Sequence, residues 1–172
     1  MIWGAAIAFL IALGAFMGKG SVDSDWTKYD PLFVRYGAAY SVPWQWLKAI
    51  AIVESNLGKA PSVARGLEKP SDVAGSTSSD GKSWGLMQLT LPTARQFESA
   101  TTEIGLNNPD TSVRLAAKYL HWVMQNYFTD QENVIRSYNG GPGWNNSSGG
   151  RNLTAVYYQR FLKALDQVNQ GG

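Results

Sequence analysis

The sequence contains no cysteine and only one histidine among its 172 residues. The absence of cysteine excludes disulfide bonds, zinc sites built on thiolates and a thiol nucleophile. A Ser-His catalytic pair would depend on His121, whose neighbours have no metal-ligand spacing. Concentrated charge is also missing, because 15 Lys and Arg stand against 13 Asp and Glu and the basic residues are scattered. We therefore expect no metal, no cofactor and no nucleic-acid partner.

Apolar residues, by contrast, are plentiful enough to form a packed core. Hydrophobic residues make up 44% of the chain and aromatic residues 12%, which excludes a disordered or collagen-like chain despite 18 glycines. The length suits one globular domain with a short additional segment. We expect that domain to span residues 21–172 and the additional segment to span residues 1–20.

The N-terminal segment has the composition of a membrane helix. Residues 2–18 are 17 consecutive apolar or glycine residues, which as a helix would extend roughly 26 Å against a hydrocarbon core of about 30 Å. A cleaved signal peptide would have Lys or Arg before the apolar run and a clear cleavage site, and neither is present. We therefore predict an uncleaved transmembrane anchor, with a signal segment and a buried core helix as the alternatives.

The first half of the domain has the periodicity of amphipathic helices. Apolar residues recur at three- and four-residue steps over residues 26–40, which predicts one helix there. A second helix should begin with Pro43 in its first turn and end at Gly58. Residues 59–83 are rich in Gly, Pro, Ser and Asp without a sustained apolar period, so we expect a long irregular loop.

The second half of the domain continues the helical pattern. Thr90 can cap a short helix, and Asn108 precedes the longest periodic stretch. Asp130 can cap a further helix that must end at the glycines from Gly140 onward. A last helix is expected from about Asn152. Because no alternating β-branched run is long enough for a central strand, the predicted fold class is mainly α.

One carboxylate differs from the others in its surroundings. Glu54 lies four residues after Ile50 and seven after Leu47, on or beside the apolar face of its helix. Desolvation and the negative end of the helix dipole both raise the pKa of such a group. A carboxyl that stays protonated near neutral pH can act as a general acid. The alternative is that Glu54 turns to solvent or pairs with Lys48 or Lys59.

Two glycine turns carry polar groups suited to a neutral ligand. In residues 83–88 the glycine permits close backbone approach, and Gln88 offers both a donor and an acceptor. In residues 137–144 a tyrosine and an asparagine, Tyr138 and Asn139, end a helix at consecutive glycines. Ordinary turn packing and a helix C-cap with its tyrosine in the core are the alternatives.

Three segments in a fixed order resemble a known family. They are Val53-Glu54-Ser55, then Gly85-Leu86-Met87-Gln88 with Thr93-Ala94 behind it, then Ser137-Tyr138-Asn139-Gly140-Gly141-Pro142-Gly143. Together they resemble the soluble lytic transglycosylase (SLT) domain of the lysozyme-like superfamily, over about residues 26–165. The resemblance implies a lysozyme-like helical fold with a cleft for peptidoglycan glycan strands. It also implies cleavage of the β-1,4 bond between N-acetylmuramic acid and N-acetylglucosamine without water, leaving a 1,6-anhydro ring.

Site residues follow from the resemblance position by position. Glu54 matches the catalytic glutamate, which would act as both general acid and general base. Residues implied to contact the substrate or this glutamate are Gln88, Tyr138, Asn139, Met87, Ser79 and Tyr157. For the tyrosine of the last helix, Tyr158 is an equal alternative to Tyr157. The sequence also departs from the family, since Leu153-Thr154 stands where Glu-Thr is usual.

Within this interpretation, Tyr138 is expected to hydrogen-bond near Glu54. Trp84 and Trp144 adjoin the two turns and could stack on sugar rings, unless they lie in the core. The expected location is a membrane, through residues 2–18, with the catalytic domain facing the periplasm or cell wall. Secretion, conjugation or virion assembly components are the expected protein partners. Two other functions remain open: a goose-type muramidase that hydrolyses the same bond, and an inactive wall-binding assembly component.

Overall fold

The computed structural model describes residues 24–69 and 82–171. Within these ranges the chain forms nine α-helices, a two-stranded antiparallel hairpin and one 3-10 turn. The helices are α1 (Ser24–Thr27), α2 (Asp30–Tyr40), α3 (Trp44–Ser55), α4 (Pro61–Glu68), α5 (Leu91–Arg95), α6 (Glu103–Leu106), α7 (Pro109–Asn126), α8 (Gln131–Gly140) and α9 (Ser148–Asn169). The strands are β1 (Ser83–Trp84) and β2 (Leu89–Thr90), and the 3-10 turn is Trp144–Asn146. The mainly α fold class is confirmed.

The predicted N-terminal anchor, residues 1–20, and the candidate residue Ser79 lie outside the described residues. None of the described helices combines the length and the apolar character that crossing a membrane requires.

The predicted helix starts are confirmed where a side chain caps the helix. Thr90 Oγ1 accepts a hydrogen bond from the Thr93 N–H, and Asp130 Oδ1 accepts one from the Asn133 N–H. Asn108 Oδ1 accepts from two backbone N–H groups at the start of α7. These side chains satisfy donors that the first turn of a helix leaves without a partner.

Two predicted boundaries in the first half are wrong. The predicted helix over residues 26–40 is interrupted between α1 and α2 at residues 28–29. Helix α3 ends at Ser55, because the next residue, Asn56, has a left-handed φ of 51° that turns the chain before Gly58 is reached. Asparagine tolerates this conformation better than most residues because its short polar side chain bonds locally.

Two further predictions are wrong in extent. The predicted loop over residues 59–83 contains α4, in which Val63 packs inward behind a proline at the helix start. The last helix begins at Ser148 rather than near Asn152, because the Ser147 side chain accepts from the Gly150 N–H and caps it. As a result α9, with 22 residues, is longer than α7, with 18.

The core is formed by helices that pack against one another and around the hairpin turn. Helix α3 packs along α9, α9 also packs against α8, and α2 packs against both α3 and α7. The turn of the β-hairpin is inserted between them, with Leu86 and Met87 completely buried. The largest fully buried side chains on the helices include Phe33, Leu47, Ile50, Leu115, Leu120, Ile135 and Phe161. This packing fixes the C-terminal turn of α3 against the hairpin.

Candidate active site

Glu54 lies in the last turn of α3, and the residue after it anchors that turn. Ser55 is buried, and its hydroxyl donates to the Leu86 carbonyl at 2.7 Å. The same hydroxyl oxygen accepts from the Gly58 N–H at 3.0 Å. These bonds tie the end of α3 to the hairpin turn, so the position of Glu54 relative to that turn is set by the backbone.

The hairpin turn has a shape that only glycine permits at its first position. Gly85 has a φ of +76°, and a Cβ there would lie 1.9 Å from the Leu106 carbonyl oxygen. Gln88 closes the turn with a φ of 48°, and its Nε2 donates to the Gly85 carbonyl at 2.9 Å. The Met87 N–H donates to Ser112 Oγ at 3.0 Å. The turn is therefore stabilised by a hydrogen bond between its own first and last residues and by a second one to α7.

Tyr138 fastens the end of α8 to the same turn. Its hydroxyl donates to the Met87 carbonyl at 2.8 Å. The hydrogen bond that was expected between Tyr138 and the neighbourhood of Glu54 is thus made to the hairpin backbone instead. Tyr138 still lies close enough to Glu54 for the carboxylate charge to raise its pKa, in addition to the larger effect of burial.

Helix α9 supplies the hydroxyl that contacts Glu54. The Tyr157 hydroxyl donates to Glu54 Oε1 at 2.7 Å, whereas the Tyr158 hydroxyl donates to Gln131 Oε1 at 3.1 Å. Of the two alternatives, the structure therefore places Tyr157 at the carboxyl. One turn further along α9, Arg160 Nη2 donates to the Val53 carbonyl at 3.1 Å.

These groups surround a cavity of about 220 Å³. The described residues that line it are Glu54, Ser83, Gln88, Leu89, Thr90, Thr93, Tyr119, Tyr138, Asn139 and Gly141. Glu54 is the one carboxylate in this set, and hydroxyl and amide groups make up most of the other polar groups. Over residues 24–69 and 82–171, no group of three or more His, Asp and Glu side chains could hold a metal ion.

The electrostatics of the cavity favour a neutral Glu54. Burial raises the pKa of Glu54 from 4.5 to about 7, although the Tyr157 hydrogen bond and the Arg160 charge act in the opposite direction. Neither candidate base pairs with it, because Lys48 contacts Asp30 and Lys59 contacts Asp25. A substantial fraction of Glu54 is therefore protonated at neutral pH.

The comparison with protein families agrees with the resemblance seen in the sequence. A family model described as Transglycosylase SLT domain matches residues 31–157, which is most of the chain. The chain belongs to the SLT family. Proteins of this family are generally lytic transglycosylases that act on peptidoglycan. A search of curated proteins finds no match to this chain.

The predicted SLT site residues differ in how the structure places them. Gln88, Tyr138 and Asn139 line the cavity together with Glu54. Met87 does not, because its side chain is fully buried in the core and has no surface for a substrate to contact. Its part in the site is structural, since its carbonyl and N–H groups hold the hairpin turn.

The two tryptophans expected to stack on sugars are largely buried instead. Trp84 and Trp144 are each 8% exposed, and neither lines the cavity. The Arg136 guanidinium lies 3.7 Å from the centre of the Trp144 ring and covers it. Trp84 belongs to the main hydrophobic core, and Trp144 is buried outside that cluster. Both are therefore interior residues, as in the alternative interpretation, and neither is placed to stack on a sugar.

The sequence did not identify Tyr119 as a cavity residue, whereas Thr93, which also lines the cavity, belongs to the motif that resembles the SLT family. Tyr119 lies three residues after Ala116 on the buried stripe of α7, and its hydroxyl donates to the Ser137 carbonyl at 2.8 Å. Its ring packs edge-on against Tyr138, with centroids 5.8 Å apart. The helical spacing marked it as inward-facing, but spacing alone does not separate a core tyrosine from a cavity tyrosine.

Proposed function

We propose that this chain is a peptidoglycan lytic transglycosylase with Glu54 as its single general acid and base. It would cleave the β-1,4 bond between N-acetylmuramic acid and N-acetylglucosamine and form a 1,6-anhydro ring on the muramyl residue. The observation that carries this proposal is the position of Glu54. It is an unpaired carboxyl with a pKa of about 7, in the wall of a cavity lined by neutral polar groups.

In the first step, protonated Glu54 donates its proton to the glycosidic oxygen. The bond between that oxygen and C1 breaks, and the leaving sugar departs with a new hydroxyl. The N-acetyl group of the muramyl residue stabilises the positive charge that develops at C1. A carboxyl that ionised at the usual pH for Glu would lack the proton when the reaction began.

In the second step, the ionised Glu54 removes the proton from the C6 hydroxyl of the same muramyl residue. The C6 oxygen then bonds to C1, which closes the anhydro ring and returns Glu54 to its protonated form. Most glycosidases need a second carboxylate, either as nucleophile or to activate water. Intramolecular attack by a hydroxyl that is already close gains from proximity and dispenses with that second group.

Tyr157 assists both steps by its hydrogen bond to Oε1. Because burial chiefly, and the Glu54 charge next, raise the pKa of Tyr157 well above its usual value, the hydroxyl remains a donor. It occupies one carboxyl oxygen and leaves the other for the substrate. It also stabilises the carboxylate between the two steps, since hydrogen bonds to a charged group are stronger than neutral ones.

The products of cleavage test this proposal directly. The full chain is incubated with purified peptidoglycan, and the released muropeptides are analysed by mass spectrometry. The expected products end in anhydro-muramyl residues, lighter by one water than reducing ends. Reducing ends would instead identify a goose-type muramidase. The absence of any release would favour an inactive wall-binding component, and either result would contradict the proposal.

We further propose that the chain acts at a membrane surface, held by residues 2–18. The support is the unbroken apolar run in the sequence. A tethered wall-cleaving enzyme of this size suits local opening of the wall for a secretion or conjugation apparatus, or for entry of a phage genome. Fractionation of cells that express the full chain tests this, with recovery in the membrane fraction expected and recovery in the soluble fraction contradicting it.

A further inference from the structure

A second, more open groove adjoins the cavity along α9. It has a volume of about 680 Å³ and is called here the α9 groove. The described residues that line it are Asn139, Gly140, Gly150, Asn152, Leu153, Thr154, Val156, Tyr157 and Arg160. Asn139 lines both the cavity and this groove, and Tyr157 lines the groove while its hydroxyl holds Glu54. The two spaces are therefore neighbours that share Asn139 in their walls.

One wall of the α9 groove is apolar and exposed. Leu153 is 72% exposed and Val156 is 64% exposed. They lie three residues apart, so their side chains are neighbours on the same face of the helix. Leu153 is also one of the positions where this sequence departs from the SLT pattern. Adjacent aliphatic side chains that stay in water beside a binding cavity provide a surface for alkyl groups of a ligand.

The end of the groove next to α3 carries a cation. Arg160 is exposed, and the described residues offer it the Val53 carbonyl at 3.1 Å but no carboxylate as an ion-pair partner. A guanidinium has five N–H donors, so most remain available to a ligand. Its charge is close enough to Glu54 to lower the pKa of that carboxyl. A ligand in the groove would thus meet both an aliphatic surface and a carboxylate-binding group.

We propose that the α9 groove binds the peptide stem of the substrate, with Leu153 and Val156 against its alkyl groups and Arg160 on a carboxylate. This inference rests on the proposed function and adds a subsite to it. The stem is attached to the muramyl ring, whose C1 must lie at Glu54 for cleavage. Because Asn139 lines both spaces and Tyr157 joins the groove wall to Glu54, the α9 groove is within reach of a stem on that ring.

The size of the apolar surface also favours a peptide over a second copy of the chain. A stable interface between two proteins buries about 800 Å² on each partner. Two aliphatic side chains next to an arginine make a much smaller patch. Short stems that combine alanine methyl groups with carboxylates match both its apolar part and its charge.

A variant that cannot cleave the substrate allows the contribution of the stem to binding to be measured without the reaction. The full chain with Glu54→Gln is titrated calorimetrically with two tetrasaccharides of alternating N-acetylglucosamine and N-acetylmuramic acid, one with Ala-Glu stems and one without. We expect the stem-bearing sugar to bind about tenfold more tightly. Adding Leu153→Ala and Val156→Ala should reduce that ratio to about twofold or less.

A matched control uses aliphatic residues that are similarly exposed elsewhere. Val34 on α2 is 50% exposed and Ile104 on α6 is 45% exposed, and neither lines the cavity or the α9 groove. Replacing both by alanine should leave the tenfold ratio intact. Equal affinities for the two sugars would overturn the assignment of the stem to the α9 groove but not the proposed function. The same would follow if the control variant lost as much of the ratio as the Leu153→Ala and Val156→Ala variant. Failure of both sugars to bind would contradict the proposed function as well.

The contribution of Arg160 is tested with a third sugar whose stem ends in glutamine instead of glutamate. The unmodified groove should favour the glutamate stem several-fold, because only that stem carries the extra carboxylate for the guanidinium. With Arg160→Gln the two stems should bind equally. A preference that persists in Arg160→Gln would overturn the assignment of the carboxylate to this residue.

Discussion

Helix α3 carries two ionisable side chains that are shielded from water to different extents, the buried Lys48 near its middle and the partly buried Glu54 in its last turn. Lys48 is 2% exposed, and both carboxylate oxygens of Asp30 lie within 3.0 Å of its Nζ. The Trp26 ring is also close, with its centroid 4.7 Å from that nitrogen. Glu54 receives a tyrosine hydroxyl and no ion pair among the described residues. The same helix thus places one charge in an ion pair and leaves the other without one.

This contrast separates a charge that stabilises the fold from a carboxyl that can exchange a proton. A buried ion pair keeps both partners charged, and its loss on one side leaves an uncompensated charge in the interior. A buried carboxyl without an ion-pair partner avoids that cost by keeping its proton. Lys48 therefore fastens α3 to α2, whereas Glu54 holds a proton that can be transferred.

Replacing Glu54 by Gln should have the largest effect on activity. The amide keeps the shape of the side chain but cannot donate or accept the catalytic proton. We expect release of muropeptides to fall by about 10³-fold or more, with the circular dichroism spectrum unchanged. The matched control is Glu103→Gln on α6, outside the cavity, which should retain full activity. A Glu54→Gln variant within tenfold of the natural chain would contradict the assigned role.

Replacing Asp30 by Asn should have the largest effect on stability. It removes the charge that compensates Lys48, so we expect the free energy of unfolding to fall by about 3 kcal/mol in urea titration. Adding Lys48→Met should recover most of that loss, because no charge is then buried without a partner. If Asp30→Asn alone changed stability by less than about 0.5 kcal/mol, the Lys48 pair would be no different from a surface salt bridge.

Replacing Glu54, in contrast to replacing Asp30, is expected to increase the stability of the fold. The carboxyl has a pKa of 4.5 when free and about 7 in the fold, so the unfolded chain loses this proton at lower pH than the folded chain. The natural chain is therefore penalised progressively as pH rises from about 4.5 to about 7. We expect Glu54→Gln to be more stable by about 1–3 kcal/mol at pH 8.5 and equally stable at pH 4. Equal stability at both pH values would mean that Glu54 ionises normally.

A smaller effect is expected from the tyrosine hydroxyl at Glu54. Tyr157→Phe removes the hydrogen bond that lowers the pKa of Glu54, so the alkaline limb of the pH–rate profile should move to higher pH. The rate near the optimum should fall about tenfold, because the carboxylate formed after the first step loses a donor. Tyr158→Phe is the matched control, since that hydroxyl bonds to Gln131 and should change neither quantity. Equal profiles for the two variants would show that the hydroxyl at Glu54 is not used.

The sequence could predict those features that depend on local chemistry. The caps at Thr90, Asn108 and Asp130 need only a side-chain oxygen next to free N–H groups. The apolar face of α3, which contains Leu47 and Ile50, similarly indicated that Glu54 would be removed from water. The motif order identified the family, which the match over residues 31–157 now shows.

Features that depend on distant contacts could not be predicted in this way. The burial of Trp84 and Trp144 depends on tertiary packing. The hydrogen bond of Tyr138 to Met87 joins residues that lie 51 positions apart. The pairing of Tyr157 with Glu54 spans 103 positions. Neighbouring tyrosines on one helix have the same local pattern, so only the angle between α3 and α9 selects one of them.

The titration of Glu54 itself tests the central claim most directly. Labelling the side-chain carboxyls with ¹³C and following the Glu54 resonance from pH 3 to pH 9 gives its pKa, with Glu54→Gln used to assign the signal. The account predicts a midpoint at about 7. A midpoint close to 4.5, that of a free glutamate, would contradict it.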